Sequence, residues 1–483
     1  MTDHSPAPAE SARSGSQFAL RGNMGTVDLL FTVLAFTAPL GVVFGFLSFN
    51  IRFGIGVPIA FLGATALMLL FAVGFTNMTR RVARPGAFYT YIAAGLGRPA
   101  GLGGSFLALT TYGFNVAAAL VFSGIAINNL MGSFHTDLSA PWWAWSLLML
   151  ALVWMCSYFN VEFSAKLLST VLVFEVIAIL VFDAVLIANG GPEGHSFAPW
   201  NPASLLTPSI GLLLLFSVGL FNGFEATAIY RDEVRDPEKT IPRATYLAIL
   251  FLGLFYAASS YALILSEGSS QAVAAALKNP AEMMPHALLV YFGAFANQLI
   301  AVLLVTSMFA STLALQNILA RYTHSLSVDG VFPRALAAVH PRHGSPHRSA
   351  LTVGAVQLVM LAMLILSGAN ELDLYGAAAG VAFYGMLLLL FLTALAVIFY
   401  FRADRGAVSA WKILVAPAIA VAGIGTELVI ATMNLPLLII GPATVVWTLA
   451  SISYAALLLG IGVAWWLKRK GSPLYERIGR RVD

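Results

Sequence analysis

The sequence predicts an all-α integral membrane protein with 12 transmembrane helices. Of its 483 residues, 59% are hydrophobic and only 10% are charged, whereas a soluble domain averages about 25% charged residues. Apolar runs of helical length recur along the chain, and Lys and Arg are distributed unevenly between those runs. A lipid bilayer accounts for such a composition, because side chains that face lipid should be apolar. The formal charge of +4 therefore does not indicate a nucleic-acid partner.

The apolar runs are long enough to cross about 30 Å of hydrocarbon. Backbone groups in lipid must be paired within a helix or a closed barrel, and these runs lack the alternation over about ten residues that barrel strands show. We therefore predict helices, numbered span 1 to span 12 in chain order. Their predicted ranges are roughly 27–48, 54–77, 102–131, 141–160, 167–188, 209–230, 244–265, 287–319, 348–366, 374–400, 411–433 and 440–467.

Lys and Arg indicate the orientation, because cytoplasmic loops carry an excess of them. With the N-terminus inside, only Arg52 and Lys278 of the 26 Lys and Arg residues fall outside. A missing span would scramble this asymmetry, so it also supports the number twelve. Residues 1–25, which lack the apolar core of a cleavable signal, are predicted to be a cytoplasmic N-terminal tail. Residues 468–483 are predicted to be a cytoplasmic C-terminal tail.

Two predicted spans contain residues that interrupt a helix. In span 1, the run 37–41 (TAPLG) lies at mid-membrane depth, where Pro39 removes a donor and Gly41 weakens the helix. In span 6, the run 217–223 (SVGLFNG) places two glycines and an amide at similar depth. An ordinary kink would account for one such site. Two of them, five spans apart, occupy corresponding positions of a five-plus-five inverted repeat, and such pairs indicate the central site of a transporter.

A family resemblance rests on the segment from Gly223 to Ala244, which reads GFEATAIYRDEVRDPEKTIPRA. It resembles the signature of the amino acid–polyamine–organocation superfamily, in which a G-F-E/D-A run leads into an E-x-x-x-P-x-x-x-x-P-x-A cytoplasmic loop. Residues 84–91 (RPGAFYTY) look like the P-x-G-x-x-Y-x-Y loop that follows span 2 in that family. The resemblance covers about residues 24 to 467.

The resemblance implies the leucine-transporter fold, with broken helices in spans 1 and 6. Two inverted five-helix repeats would occupy residues 26–190 and 205–402, and two peripheral helices would occupy residues 410–467. It also implies a secondary active transporter, not an enzyme, that imports amino acids or related small amines across the cytoplasmic membrane by alternating access. No cofactor and no metal are expected, and the expected partners are the substrate and the lipid bilayer.

The family binds its substrate between the broken parts of spans 1 and 6, where helix N-termini hold a carboxylate and exposed carbonyls hold an amine. Pro39 stands where the family usually has a glycine, and it offers no N–H, which leaves room for a substrate recognised mainly by its amine. Two residues of span 3 either line this site or serve packing. The predicted substrate site comprises Thr37, Ala38, Pro39, Leu40, Gly41, Phe221, Asn222, Gly223, Phe224 and Glu225, with Tyr112 and Asn115 from span 3.

Glu225 is an ionisable group near mid-membrane, where such a group costs at least about 2.5–3.5 kcal/mol. We predict that it contacts the substrate amine or gates transport through protonation. The alternative is a buried structural carboxyl. Asn222 beside it either contacts substrate or satisfies the interrupted backbone.

Glu175 lies on span 5, nine residues after Lys166 and so about 13 Å into the membrane. Many members of the resembling family carry a lysine there, after a start similar to residues 164–166 (SAK), and its ammonium stands in for a sodium ion. Glu175 reverses that charge, and because burial disfavours an ionised carboxylate, we predict proton-coupled transport. The rival is a sodium site that combines Glu175 with Ser311 and Thr312 of span 8. An interhelical hydrogen bond is the alternative to both.

Other charged positions carry weaker expectations. Asp183, nearer the outer end of span 5, is either a solvated vestibule residue or a functional one. The loop after span 6 could form a gate at the inner side. Partly solvated loop charges are the favoured interpretation, because local ion pairs contribute little. The loop charges are Arg231, Asp232, Glu233, Arg235 and Asp236.

An intramembrane enzyme and a channel are the alternatives from other functional classes. The sequence contains no H-E-x-x-H and no G-x-x-x-x-G-K-[ST] motif, and its one cysteine, Cys156, lies in an apolar run. A channel would not need paired interruptions. Within transport, a cation-coupled amino acid symporter leads over an amine or polyamine carrier and over an exchanger. Polyamines would need several carboxylates, and only Glu225, Glu175 and Asp183 are candidates.

Overall fold

The computed structural model describes residues 23–82, 88–134, 140–159, 162–403 and 408–479. Parts of three predicted features lie outside the described residues. They are the N-terminal tail up to residue 22, residues 84–87 of the second sequence motif, and the end of the C-terminal tail from residue 480.

The prediction of twelve membrane spans is confirmed: the described residues contain twelve helices long and apolar enough to cross a membrane. No strand is assigned among these residues, apart from isolated bridges that join Met24 to Val234 and Gly191 to Gly194. The spans are Thr26–Gly45, Val57–Arg81, Arg98–Ser133, Trp142–Phe159, Ser169–Asn189, Ile210–Ala228, Pro237–Glu267, Pro280–Val328, His347–Leu366, Glu371–Arg402, Trp411–Met433 and Ala443–Arg469.

Shorter helices connect the spans, and two of the spans extend beyond the ranges above. The helix that contains span 5 is Glu162–Asn189, and the helix of span 10 is Glu371–Ala403. The connecting α-helices are Leu47–Ile51, Phe88–Leu96, Ala272–Lys278, Leu435–Leu438 and Pro473–Arg477. Turns of 3-10 helix are Ala198–Trp200, Pro202–Leu205, Phe224–Ala228, Arg231–Glu233 and Arg334–Ala337, and Trp411–Val415 is a π-helical turn before Ala416–Met433.

Span 8 is much longer than the predicted range of 287–319. It runs over 49 residues as Pro280–Val328, although about 20 suffice to cross a bilayer. Gly293 has φ 79° and ψ −180° and joins two helical pieces at a kink. The hydrophobicity of the sequence does not reveal this kink, because the helical segments on both sides of Gly293 are apolar.

Large apolar side chains cover much of the outer surface of the bundle. Phe174 in span 5, Val290 in span 8 and Leu458 in span 12 are examples of exposed hydrophobic residues. In water such a surface would drive association, whereas lipid solvates it. The chain is therefore a multi-pass membrane protein.

Spans 1 and 6 each consist of two helical pieces. In span 1, helix Thr26–Thr37 ends before Ala38, which has the left-handed φ 46° and ψ 67°, and helix Pro39–Gly45 follows. Proline suits this first helical position because the N–H it lacks would have no partner within the helix. In span 6, helix Ile210–Gly219 ends before a turn, Gly223 has φ 114°, and the 3-10 helix Phe224–Ala228 follows.

Candidate functional site

The helix ends of spans 1 and 6 lie against each other. A Cβ atom added to Gly223 would lie 2.7 Å from Cγ2 of Thr37 and would also overlap the ring of Phe36. Span 8 joins the same place, because Ser311 Oγ donates a hydrogen bond to the carbonyl oxygen of Phe36 at 2.9 Å. That bond satisfies one of the carbonyls that the end of a helix leaves unpaired. Three spans thus meet where the helical backbone is interrupted.

A cavity of about 430 Å³ lies beside this meeting point. Its volume falls within the range of small-molecule sites, about 300–1,000 Å³. Polar groups concentrate near the interrupted helices, where Thr37, Asn115, Asn222 and Ser311 line the wall. The rim of the cavity includes Leu372 and Leu437, which are 54% and 43% exposed, so the cavity reaches the surface at that end.

Aromatic and aliphatic side chains form most of the cavity wall. The rings of Phe49 and Phe216 lie 5.1 Å apart, and those of Phe122 and Tyr375 lie 4.9 Å apart. Among the described residues that line the cavity, none carries a formal charge. The site therefore combines a small polar patch at the interrupted helices with an apolar chamber.

The cavity divides the predicted substrate residues into two groups. Of the predicted set, Thr37, Ala38, Gly41, Asn115 and Asn222 line it. The others lie behind this wall, and among them are Pro39 and Leu40 of span 1, Tyr112 of span 3, and Phe221, Gly223, Phe224 and Glu225 of span 6.

Glu225 is fully buried behind the wall and holds the interrupted backbone of span 6. Its Oε2 accepts a hydrogen bond from the backbone N–H of Gly223 at 2.8 Å, and its Oε1 accepts one from the hydroxyl of Tyr112 at 3.0 Å. A carboxylate at the start of a helix satisfies N–H groups that have no partner within that helix. In this arrangement Glu225 acts through the backbone of the site and has no direct access to the cavity.

The predicted coupling residues lie on the faces that spans 5 and 8 turn inward. Glu175 is 2% exposed and lies within hydrogen-bonding reach of Ser307, and its Oε2 has no partner among the described residues. Ser307 is one helical turn before Ser311, so the two hydroxyls share a face of span 8. Thr312 is buried, and its hydroxyl donates to the carbonyl oxygen of Met308 at 2.6 Å.

The end of the bundle opposite the cavity rim is closed by an ion pair. Nε and Nη2 of Arg321 donate to the two carboxylate oxygens of Glu233 at 2.6 and 2.8 Å. The guanidinium of Arg321 also stacks on the ring of Tyr230, 4.5 Å from its centroid. Arg321 lies ten residues beyond Ser311, which is about 15 Å along the helix.

The expectation of partly solvated charges in the loop after span 6 is wrong for Arg231, which is buried, and the expectation of local ion pairs is wrong for Glu233, whose partner Arg321 lies on span 8. The side chain of Glu233 is only 15% exposed in its pair with Arg321. Arg231 is 8% exposed and donates from Nη1 to the carbonyl oxygen of Thr79 at 2.6 Å. The favoured interpretation failed because the partners lie on spans 2 and 8, far away along the sequence.

Backbone contacts close the same end further. The N–H of Met24 donates to the carbonyl oxygen of Glu233, and the N–H of Arg235 donates to that of Met24, both at 3.0 Å. Tyr89, in the helix after span 2, donates from its hydroxyl to Oδ2 of Asp329 at 2.7 Å. The segment before span 1 is therefore joined to the loop after span 6, and the helix after span 2 is joined to the end of span 8.

Comparison with known proteins identifies the family of this chain. Residues 28–475 match the amino acid permease family. The chain belongs to that family. As a permease it is a transporter, not an enzyme, and the superfamily predicted from the motifs is confirmed.

Curated relatives of this permease carry different substrates. The low-affinity putrescine importer PlaP of Escherichia coli is 25% identical over 359 residues, which cover 72% of this chain and 76% of the relative. The branched-chain amino acid permease BcaP of Bacillus subtilis is 23% identical over 390 residues, which cover 74% and 80%. An uncharacterized transporter of Mycobacterium tuberculosis is 36% identical over 167 residues, which cover 34% of this chain and 36% of the relative.

The permease also buries two carboxyl groups away from the cavity lining. Asp183 is buried and accepts a hydrogen bond from Ser259 at 2.8 Å, so it is not a solvated vestibule residue. Glu427 in span 11 is buried, and its Oε2 has no partner among the described residues. Glu427 is not among the functional residues predicted from the sequence, although an acidic residue within a predicted span is itself a signal.

Proposed function

We propose that this permease is a secondary active transporter that imports amino acids or small amines across the cytoplasmic membrane by alternating access. The observation that carries the proposal is the cavity at the meeting point of spans 1 and 6, open at one end and closed at the other. Unpaired backbone groups at interrupted helices are the means by which transporters bind charged substrates at mid-membrane. The proposed substrate site is the part of the cavity wall formed by Thr37, Ala38, Gly41, Asn115 and Asn222.

In this proposal the fold is the leucine-transporter fold. Residues 26–190 and 205–402 form two inverted repeats, and residues 410–467 form two peripheral helices. The paired interruptions support the assignment, because spans 1 and 6 take corresponding positions in two five-helix repeats. Both termini are cytoplasmic, so the closed end with Arg321 and Glu233 faces the cytoplasm and the cavity faces outward.

We propose a proton as the coupling ion, through Glu175. The support is a buried carboxyl with an oxygen that lacks a partner among the described residues, on a span that packs beside spans 1 and 8. Sodium coupling would need Glu175, Ser311 and Thr312 to share one ion. The hydroxyl beside Glu175 is that of Ser307.

Transport by the purified protein in liposomes tests the proposal. We expect saturable, gradient-driven uptake of at least one amino acid or amine, and loss of that uptake when Ala119 in the cavity wall is changed to Phe. Thermal unfolding of Ala119→Phe close to that of the wild type would exclude misfolding as the cause. Uptake that does not saturate, or that persists with the cavity filled, would contradict the proposal.

An amine or polyamine carrier is the second candidate function. The observation that favours it is the putrescine importer among the relatives. The lack of charged residues in the described cavity wall weighs against a substrate with two ammonium groups.

A further inference from the structure

The acceptors at the base of the cavity suit an ammonium group. Helices Thr26–Thr37 and Ile210–Gly219 both end at the cavity wall, and the last carbonyls of a helix lack partners within it. Three of these carbonyls already accept hydrogen bonds from outside the helical ladder, those of Leu34, Phe36 and Val218, so the acceptors for a ligand are the remaining ones. The C-terminal end of a helix also carries a partial negative charge. Asn222 adds a buried side-chain oxygen, Oδ1, that has no hydrogen-bond partner among the described residues.

The donors for a substrate carboxylate are fewer. Pro39 occupies the first position of helix Pro39–Gly45 and supplies no N–H. The N–H of Gly223, before the second helical piece of span 6, already donates to Glu225. The first turn after Pro39 leaves Leu40 and Gly41 as backbone donors, and only Gly41 lines the cavity.

The chamber beyond these polar groups suits an apolar body. Phe216 contacts Phe49 on one side and Phe383 on the other, with centroid distances of 5.1 and 6.1 Å. Phe122 stacks on Tyr375. Aromatic faces can hold one cation, but a second ammonium would lose its hydration without a carboxylate in the described wall to replace it.

We propose that this site takes monoamines that carry a bulky apolar body, and that the substrate carboxylate contributes little to binding. The inference rests on the transport function proposed above and narrows its substrate class. That class includes arylalkyl amines and large apolar amino acids, and it excludes diamines.

A matched set of ligands separates the contributions of the three groups. Phenylalanine carries ammonium, carboxylate and ring; 2-phenylethylamine lacks the carboxylate; 3-phenylpropionate lacks the ammonium; ethylamine lacks the ring; putrescine adds a second ammonium. Binding is measured as a thermal shift of the purified protein, and transport as uptake into liposomes. We expect 2-phenylethylamine and phenylalanine to bind within about tenfold of each other, a difference of about 1.4 kcal/mol. The other three should bind at least tenfold more weakly.

A pair of variants links the result to the cavity. Asn222→Ala should weaken 2-phenylethylamine and phenylalanine alike, by about tenfold. Asn128→Ala removes an amide that accepts a hydrogen bond from Trp145 away from the cavity, and it should leave both affinities unchanged.

The outcomes distinguish this inference from the function on which it rests. Tighter binding of putrescine than of 2-phenylethylamine overturns the inference and leaves transport intact. Strong binding of 3-phenylpropionate, or loss of binding when only the carboxylate is removed, also overturns it. If no amine or amino acid in a wider screen is taken up, the transport proposal itself fails.

Discussion

At the scale of single residues, Glu225 connects the interrupted backbone of span 6 to span 3. Its two oxygens accept from Gly223 and Tyr112, and both bonds are buried. Leaving a buried donor without a partner costs about 1–3 kcal/mol. The side chain therefore stabilises the turn that shapes the cavity, whether or not its charge also takes part in transport.

Two substitutions of Glu225 separate these contributions. Glu225→Gln keeps an acceptor for Gly223, and its amide can donate to the hydroxyl of Tyr112, so we expect a melting temperature near that of the wild type with impaired uptake. Glu225→Ala leaves Gly223 unpaired, so we expect a loss of about 1–3 kcal/mol in unfolding free energy. Thermal unfolding and liposome uptake measure both. Wild-type uptake by a well-folded Glu225→Gln protein would refute a role for the charge.

Gly219 is a second position where one atom decides the packing. A Cβ atom there would overlap the ring of Phe383, which also lines the cavity. We predict that Gly219→Ala lowers the unfolding free energy by about 1–3 kcal/mol, the usual effect of overpacking, and reduces uptake. Gly132→Ala is the control, because a Cβ atom there meets nothing within 4 Å. Equal stability of the two variants would contradict the packing explanation.

The positions of some of these residues relative to the cavity could be predicted from the sequence, and those of others could not. Thr37, Gly41 and Asn222 were predicted from helix-breaking patterns, and they line the cavity. The position of Glu225 behind the wall depends on a bond to Tyr112, 113 positions away. The local spacing of residues in the sequence predicts the depth of Glu225 in the membrane. It does not predict which residue on another helix will be its hydrogen-bond partner.

At the scale of elements, the closed end joins the loop after span 6 to spans 2 and 8. The pair between Arg321 and Glu233 is bidentate, and its side chains are 10% and 15% exposed. Removing one partner of such a buried pair costs about 3–5 kcal/mol, because the other charge is left without compensation. A large part of that energy would be lost from the state in which this end is closed.

We predict that Arg321→Gln opens this end. The measurement is disulfide formation between cysteines placed at Met24 and Val234, which form a parallel bridge, in a Cys156→Ala background. The cross-linking rate should fall severalfold in Arg321→Gln. The control is Arg98→Gln, whose partner Glu476 is 66% exposed and whose pair should contribute little. An unchanged rate in Arg321→Gln would show that the ion pair does not hold the end closed.

The number of membrane spans could be predicted from the sequence better than the short helices and kinks that connect their parts. Twelve spans follow from hydrophobic length, and twelve are present among the described residues. Helix Phe88–Leu96 was not predicted, because it is only nine residues long and its first four residues belong to the motif at residues 84–91 that was interpreted as a loop. The kink at Gly293 was missed for a related reason, since apolar residues continue on both sides of it.

At the scale of the whole molecule, the distribution of Lys and Arg makes the orientation testable. The chain has one cysteine, so Cys156→Ala gives a background without thiols. In that background we predict that a membrane-impermeant maleimide added to intact cells labels Lys278→Cys and does not label Lys470→Cys. Both lysines are exposed. Labelling of Lys470→Cys alone would reverse the proposed topology.

The coupling ion is also a property of the whole molecule, because a proton or sodium ion must bias one access state over the other. Glu175 lies on the span that packs against spans 1 and 8, and one of its buried oxygens has no partner in the part of the chain that the structure describes. Low dielectric surroundings disfavour an isolated charge, so uptake of a proton would remove that charge as the bundle rearranges. A sodium ion would instead need several oxygen ligands around it, and the hydroxyl within hydrogen-bonding reach of Glu175 is that of Ser307, whereas the predicted sodium site combined Glu175 with Ser311 and Thr312.

We therefore predict that uptake proceeds in sodium-free buffer, is driven by an inward proton gradient, and becomes insensitive to that gradient in Glu175→Gln. Asp183→Asn is the matched control, because Asp183 is a second buried carboxyl on the same helix and, like Glu175, has one oxygen without a partner among the described residues, but its hydroxyl partner, Ser259, lies on span 7 and not on span 8. Its gradient dependence should stay that of the wild type. Uptake that needs sodium and ignores the proton gradient would make the proton assignment wrong. If Glu175→Gln keeps full gradient-driven uptake, neither ion is coupled through Glu175, and its contact with Ser307 is a structural hydrogen bond between spans 5 and 8.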